Sequence, residues 1–412
     1  MKIESAIVVR GLGGYYNDDL DAIRAGAKRD GFMYRGQPVA QGFTSIRQPN
    51  DAACFLLTLD TGQTVFGDAT SVCYASAGGR RGRFSFQDQE PYLSALCEEV
   101  VGESVDDFFR MSDELESREY EENFHLPAAM YGLSQALIQA AALKARITPA
   151  EVLAEGVGAD VAEQPIPIYV QSDDRRTAVD KAILKRAAVL PHGVINDIDT
   201  ALGRDGEILQ EYLSWTIDRI TEFGSADYDP VIHLDVYGLP GTIFDHDVER
   251  IADYLAELKA IVGTRSLCIE TPVLMHRREA QIDMVGQLRA ALLRKGVAVD
   301  LIVDEWANDL QDIRAFVEAG VTDMINVKSP DLGSIANSAR AIRECWAGGV
   351  RPILGGSCAE TDQSARIVAH IALATGPAWV MARPGLAVDE GMQIVHNEMV
   401  RTHALIRANK AG

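Results

Sequence analysis

From Pro165 onward the chain alternates short apolar runs with amphipathic stretches, and it does so eight times. The runs are Ile166–Gln171, Ala187–Pro191, Val231–Asp235, Leu267–Glu270, Leu301–Asp304, Met324–Lys328, Pro352–Gly355 and Trp379–Ala382. Helical spacing fills Val179–Arg186, Glu207–Phe223, Asp247–Val262, Glu279–Lys295, Asp309–Ala319, Ile335–Ala347 and Gln363–Thr375. Continuous apolar runs suit parallel strands covered on both faces. Eight strand–helix units predict an α/β fold, a (β/α)8 TIM-type barrel, because a doubly wound sheet rarely needs so many. The second run, short and interrupted by Pro191, is the weakest of the eight.

The first 160 residues follow another pattern and predict an α+β capping domain (1–160) ahead of a barrel domain (161–412). Cys54–Asp60 and Thr64–Phe66 alternate around the turn Asp60-Thr61-Gly62, which reads as a hairpin, with Ile3–Val9 in the same sheet. Gly11 to Gly42 reads as one long loop. Pro91–Glu99, Val105–Glu116 and Pro127–Ala145 carry helical spacing, and Ala129–Ala145 is apolar enough to lie buried between domains. Glu390–Ala408 reads as a closing helix.

The formal charge of −21 repels nucleic acid and anionic membranes, so neither is an expected partner. No apolar run reaches the ~18 residues of a membrane span, and the first ten residues are too charged for a secretory signal. Six scattered cysteines without a CxxC pair read as buried thiols, and a cytoplasmic location is expected.

Three successive runs end in acid: Asp235, Glu270 and Asp304, spaced 35 and 34 positions apart (270 − 235 and 304 − 270). The next run ends in Lys328, 24 positions on (328 − 304). Strand ends of a barrel meet at its C-terminal mouth. Carboxylates crowded there repel one another unless a cation lies between them, and an all-oxygen set suits Mg2+. A lysine beside such an ion can serve as a base for a proton next to a carboxylate, if burial and the cation lower its pKa.

Other candidates stand at the same mouth. His192, in Leu190-Pro191-His192-Gly193, is a second acid–base group or a hydrogen-bond donor. His233 sits one layer below Asp235 and reads as packing. Gln171 ends the first run, where an amide can bind a carboxylate without competing for metal. At Gly355-Gly356-Ser357-Cys358 the Ser357 hydroxyl and the Cys358 N–H can hold an anion. Gly11-Leu12-Gly13-Gly14 and Ala77-Gly78-Gly79-Arg80 lack the flanks of nucleotide motifs and read as loops.

These residues resemble the enolase superfamily, and within it the methylaspartate ammonia-lyase family. The similarity includes Leu190-Pro191-His192, His233-Leu234-Asp235-Val236-Tyr237-Gly238, Asp304-Glu305-Trp306, Lys328-Ser329-Pro330-Asp331-Leu332-Gly333 and Gly355-Gly356-Ser357-Cys358. The resemblance implies Mg2+ on Asp235, Glu270 and Asp304, K+ as an activator, and a homodimer or higher homo-oligomer. It implies Lys328 as the base for a (2S,3S) amino diacid with His192 facing it, and Gln171, Ser357 and Cys358 as carboxylate ligands. The implied reaction is reversible loss of ammonia from 3-methylaspartate to give mesaconate. The chain departs from the family at positions near the substrate: Asn326 and Cys73 stand where glutamine is usual, Ser357 where threonine is, Ile353 where tyrosine is, and Met381 where leucine is. Those departures leave a related lyase or epimerase acting on another amino or hydroxy acid as the alternative. A non-catalytic barrel is a further one, against which the intact acid trio and Lys328 argue.

Overall fold

The computed structural model describes residues 1–172, 176–386 and 388–411. Eight parallel strands close into a barrel in sequence order: Ile168–Tyr169, Val189–Val194, Val231–Asp235, Leu267–Glu270, Asp300–Val303, Met324–Lys328, Arg351–Gly355 and Val380–Met381. Every neighbouring pair is parallel, and the last strand pairs with the first. The helices between them form where apolar residues recur on one face and side chains cap the ends. Asp247 accepts hydrogen bonds from the Glu249 and Arg250 amides ahead of Val248–Val262, and Asp309 does so from Asp312 ahead of Leu310–Ala319. Inward residues of alternate register fill the barrel: Tyr169, Val189, Cys268, Ile302, Met324, Ile353, Trp379 and Met381 form one buried cluster. Each of the larger ones contributes roughly 1.5–3 kcal/mol by leaving water.

The second strand runs Val189–Val194 rather than Ala187–Pro191. Its register against the third strand shifts between Pro191 and Gly193, leaving His192 as the extra residue of a bulge with φ of 46°. Pro191 therefore sits within the strand, where bulges tolerate it.

The N-terminal part is a three-stranded antiparallel sheet with Arg47–Leu59 at its centre, flanked by Ile3–Asp18 and Thr64–Ala69. Helices Phe86–Val100, Phe108–Glu116, Leu126–Ala145 and Pro149–Gly156 follow. The expected long loop over Gly11–Gly42 is mostly regular structure. The first strand continues to Asp18, a short helix spans Leu20–Arg24, and Lys28–Asp30 pairs with Met33–Arg35. The glycines there serve close approach: a Cβ on Gly14 would stand 2.3 Å from the Glu360 carbonyl oxygen in a barrel loop. Leu126–Ala145 is buried around most of its circumference, as expected. Gly132 lets it lie against the sheet, where a Cβ would meet the Ala69 nitrogen at 2.4 Å. On its other side Ser134 accepts a hydrogen bond from Ile335 of the barrel at 3.0 Å. Among the described residues no helix is long and apolar enough to cross a membrane.

Candidate active site

Strand register brings the acids together. Asp235 and Glu270 are direct partners on neighbouring strands. Ile302 partners Glu270, so Asp304, two residues further, faces inward one layer higher. All three carboxylates are buried. Glu270 Oε2 lies 2.7 Å from His233 Nε2 and 3.4 Å from His192 Nε2, and Asn326 Nδ2 donates to Oε1 at 2.8 Å. Asp304 meets Arg80 Nη2 through Oδ1 at 2.8 Å and Lys328 Nζ through Oδ2 at 2.6 Å. Asp235 Oδ2 is 4.0 Å from His192, while its buried Oδ1 has no hydrogen-bond partner.

Their proton affinities diverge accordingly. Burial, with repulsion from Glu270, Glu305 and Asp304, pushes Asp235 well above the usual carboxylate range. Burial also pushes Asp304 up to about 7, against the pull of Arg80 and Lys328. Burial opposes ionisation of Glu270 too, yet the two histidines hold it well below the ordinary value. The unpartnered Asp235 oxygen and the carboxylates on neighbouring strand ends have the chemistry of a hard-cation donor set, although the three acids do not bring one oxygen each within 4.8 Å of one another.

The one group of three His, Cys, Asp or Glu side chains that does so, among the described residues, is His192, His233 and Glu270. Both imidazoles address the same Glu270 oxygen through Nε2. Burial lowers His233 to about 4, so it is neutral, and its Nε2–H is the donor in the 2.7 Å bond. That nitrogen has no lone pair left for a metal, and we read the group as a hydrogen-bond network around an acid. His233, read from sequence as packing, is thereby a support for Glu270. Backbone strain marks the same rim: Tyr237, Thr271 and Trp306, which follow the three acids closely, have φ of 45°, 49° and 69°.

Lys328 opens into a cavity of about 50 Å³, whose lining includes Gln171, Cys73, Ser357, Cys358, Arg80 and Tyr237. Burial lowers its proton affinity as expected, but Asp304, Glu305 and Glu270 outweigh burial and hold it above the ordinary lysine value. Gln171 Oε1 is buried without a partner. Ser357 Oγ accepts from the Cys73 amide at 2.8 Å and the Ala359 amide at 3.1 Å, which leaves its proton to donate. The loop carrying it is held by a buried pair: Arg383 meets Glu360 at 3.1 Å and donates to Gly355 O at 2.6 Å, while Glu360 accepts from the Ser357 amide at 2.6 Å and from Tyr131.

The remaining candidates lie outside the cavity wall. Asn326 is buried over Gly355 and bonded to Glu270. His192 faces Glu270 and Asp235, with Nδ1 buried and unpartnered. Met381 packs with Tyr169 and Ile353 inside the barrel.

Arg80 was missed. It comes from the capping segment, is buried, and bridges Asp304, Glu305 at 3.4 Å and Asp331 at 2.9 Å. The signal was Gly78-Gly79 before it. A Cβ on either would come within 2.6 Å of Glu305 or Trp306, so the glycines let this segment rest on the barrel rim.

Residues 1–158 match the family described as methylaspartate ammonia-lyase N-terminus, and residues 160–408 its C-terminus. The chain belongs to the methylaspartate ammonia-lyase family. Within it, methylaspartate ammonia-lyase 1 of Carboxydothermus hydrogenoformans is 42% identical over 100% of this chain and 98% of its own. The Citrobacter amalonaticus methylaspartate ammonia-lyase structure, which contains (2S,3S)-3-methylaspartic acid, is 40% identical with a TM-score of 0.95 over 99% of this chain and 100% of that one. The beta-methylaspartase of Clostridium tetanomorphum, solved as a magnesium complex, is 38% identical with a TM-score of 0.91 over 99% and 100%. Muconate lactonizing enzyme of Pseudomonas fluorescens, 14% identical with a TM-score of 0.62 over 90% of this chain and 84% of that one, shares the fold alone.

Proposed function

We propose that the protein catalyses the reversible, magnesium-dependent elimination of ammonia from (2S,3S)-3-methylaspartate to mesaconate. The observation that carries this reading is Lys328 at the cavity wall, its nitrogen 2.6 Å from Asp304 and sharing the cavity with Gln171, Ser357 and Cys358. The hydrogen on C3 is weakly acidic because it lies next to a carboxylate. Lys328 takes it, and the electron pair passes into that carboxylate before ammonia leaves C2. Asp235, Glu270 and Asp304 would hold the ion. When bound, magnesium supplies positive charge against the charge that develops on the substrate carboxylate and opposes the pull of Asp304 on the lysine proton.

The rest is positioning. Ser357 donates its hydroxyl and Cys358 its amide to a substrate carboxylate, and Gln171 offers Nε2 to that carboxylate and its unpartnered oxygen to the amino group. Cys73 shapes the same corner, and Met381 and Asn326 set its limits from behind. His192 is the acid–base group for the opposite hydrogen. Potassium activation, homo-oligomeric assembly and a cytoplasmic location belong to the same proposal. The test is an ultraviolet assay for conjugated diacids with Mg2+ across branched and unbranched aspartates. Fastest turnover of the (2S,3S)-3-methyl compound supports the reading. Turnover of a different acid with none of this one overturns it and favours a related lyase.

A further inference from the structure

Two thiols meet where the N-terminal part closes on the barrel. Cys73 follows the Thr64–Ala69 strand, and Cys358 follows the seventh barrel strand. Both line the cavity, are 9% and 5% exposed, and belong to one apolar cluster with Tyr74 and Tyr237. The two side chains are near enough to perturb one another. The two backbones are pinned. The Cys73 amide donates to Ser357 Oγ at 2.8 Å, Cys73 O accepts from Asp18 at 3.0 Å, and Cys358 O accepts from Gly385 at 2.8 Å. All six cysteines are free thiols, and the other four lie outside this cavity.

We propose that Cys73 and Cys358 form an oxidation site, at which hydrogen peroxide closes a disulfide that shuts the corner where the substrate carboxylate binds. The blocking effect rests on the function proposed above, while the bond itself does not. Peroxide small enough to enter the cavity is the oxidant. The Cys358 thiolate attacks one peroxide oxygen, the O–O bond breaks, and the other oxygen leaves as hydroxide and takes up a proton to become water. Cys358 is then a sulfenic acid. The Cys73 sulfur attacks the Cys358 sulfur, the S–O bond breaks, and a second water leaves with the Cys73 proton. Two thiols have lost two electrons, and one peroxide has become two waters. Interaction with the Cys358 side chain and burial push the Cys73 thiol well up, so it keeps its proton and acts second. The bond would tie residues 73 and 358 across the boundary that Ser357 now spans through one hydrogen bond.

The test treats the full-length protein with hydrogen peroxide, alkylates remaining thiols, and maps peptides by mass spectrometry beside the activity assay. Expected is a peptide pair joining residues 73 and 358, lighter by two hydrogens, with activity lost in proportion to that pair and restored by dithiothreitol. The Cys358→Ser protein, which lacks the thiol that reacts first, keeps its activity under the same treatment when compared with its own untreated sample. No joined peptide, or activity loss that persists unchanged in Cys358→Ser, overturns the proposal. The mapping on the parent chain needs neither turnover nor a folded variant. A failed function assignment therefore removes only the activity readout and leaves the bond to be found or not.

Discussion

Replacing Arg80 by methionine keeps most of the side-chain volume and removes one buried charge. The guanidinium is 1% exposed and faces three carboxylates between 2.8 and 3.4 Å away. At an effective dielectric of ~20 each contact is worth on the order of 5 kcal/mol before desolvation. Burial of the guanidinium consumes most of that, and removing one member of a buried ion pair costs about 3–5 kcal/mol net. Unfolding entropy of ~2.1 cal/mol/K per residue gives about 0.9 kcal/mol/K for this chain, so the melting temperature falls by about 3–6 °C. The deficit depends on pH in one direction. Asp304 sits at about 7 folded, well above the ~3.9 of an unfolded aspartate, so between those values the folded protein binds its proton more tightly. Arg80 supports the ionised form that appears as pH rises through 7. The gap between parent and variant therefore widens as pH rises through 7 and narrows toward about pH 5.5. Thermal melts by circular dichroism in EDTA read both effects. A shift below about 1 °C, or a gap that widens in acid, would refute the bridging role.

Two further substitutions probe the acid cluster. Asp235→Asn removes a buried charge whose Oδ1 has no partner. It should raise the melting temperature in EDTA while cutting Mg2+ affinity by ~10-fold or more, read by calorimetric titration; unchanged affinity would contradict the ligand assignment. Gly355→Ala places a Cβ 1.7 Å from Asn326 Oδ1. Displacing Asn326 from Glu270 should cost about 1–3 kcal/mol of stability by denaturant melts and lower kcat/KM, and a neutral outcome would mean Asn326 can move without consequence.

The acid trio and Lys328 were legible because a strand has a period of two and a barrel orders its strand ends. A residue's position in its run then fixes both its face and its height. The same logic misplaced the second strand by two to three residues, since the bulge at His192 breaks the period. Arg80 carries no periodic signal: it rides on a short turn, and its role exists only once that turn touches Glu305 and Trp306. His233 was placed correctly one layer below Asp235, but its partner Glu270 lies on another strand, and burial decides its neutral state. The Gly11–Asp18 stretch of strand was hidden because Gly13 and Gly14 answer to contacts with the barrel loop, and Gly11 to close packing on Cys54, rather than to the alternation of their own strand.

The most direct measurement is hydrogen exchange at C3 of (2S,3S)-3-methylaspartate in deuterated water with Mg2+, followed by proton NMR, for the parent and for Lys328→Ala. If Lys328 takes that hydrogen, exchange and elimination fall together by ~10²-fold or more while calorimetry still finds the metal bound. Exchange that continues at the parent rate in Lys328→Ala would place the base elsewhere and contradict the account.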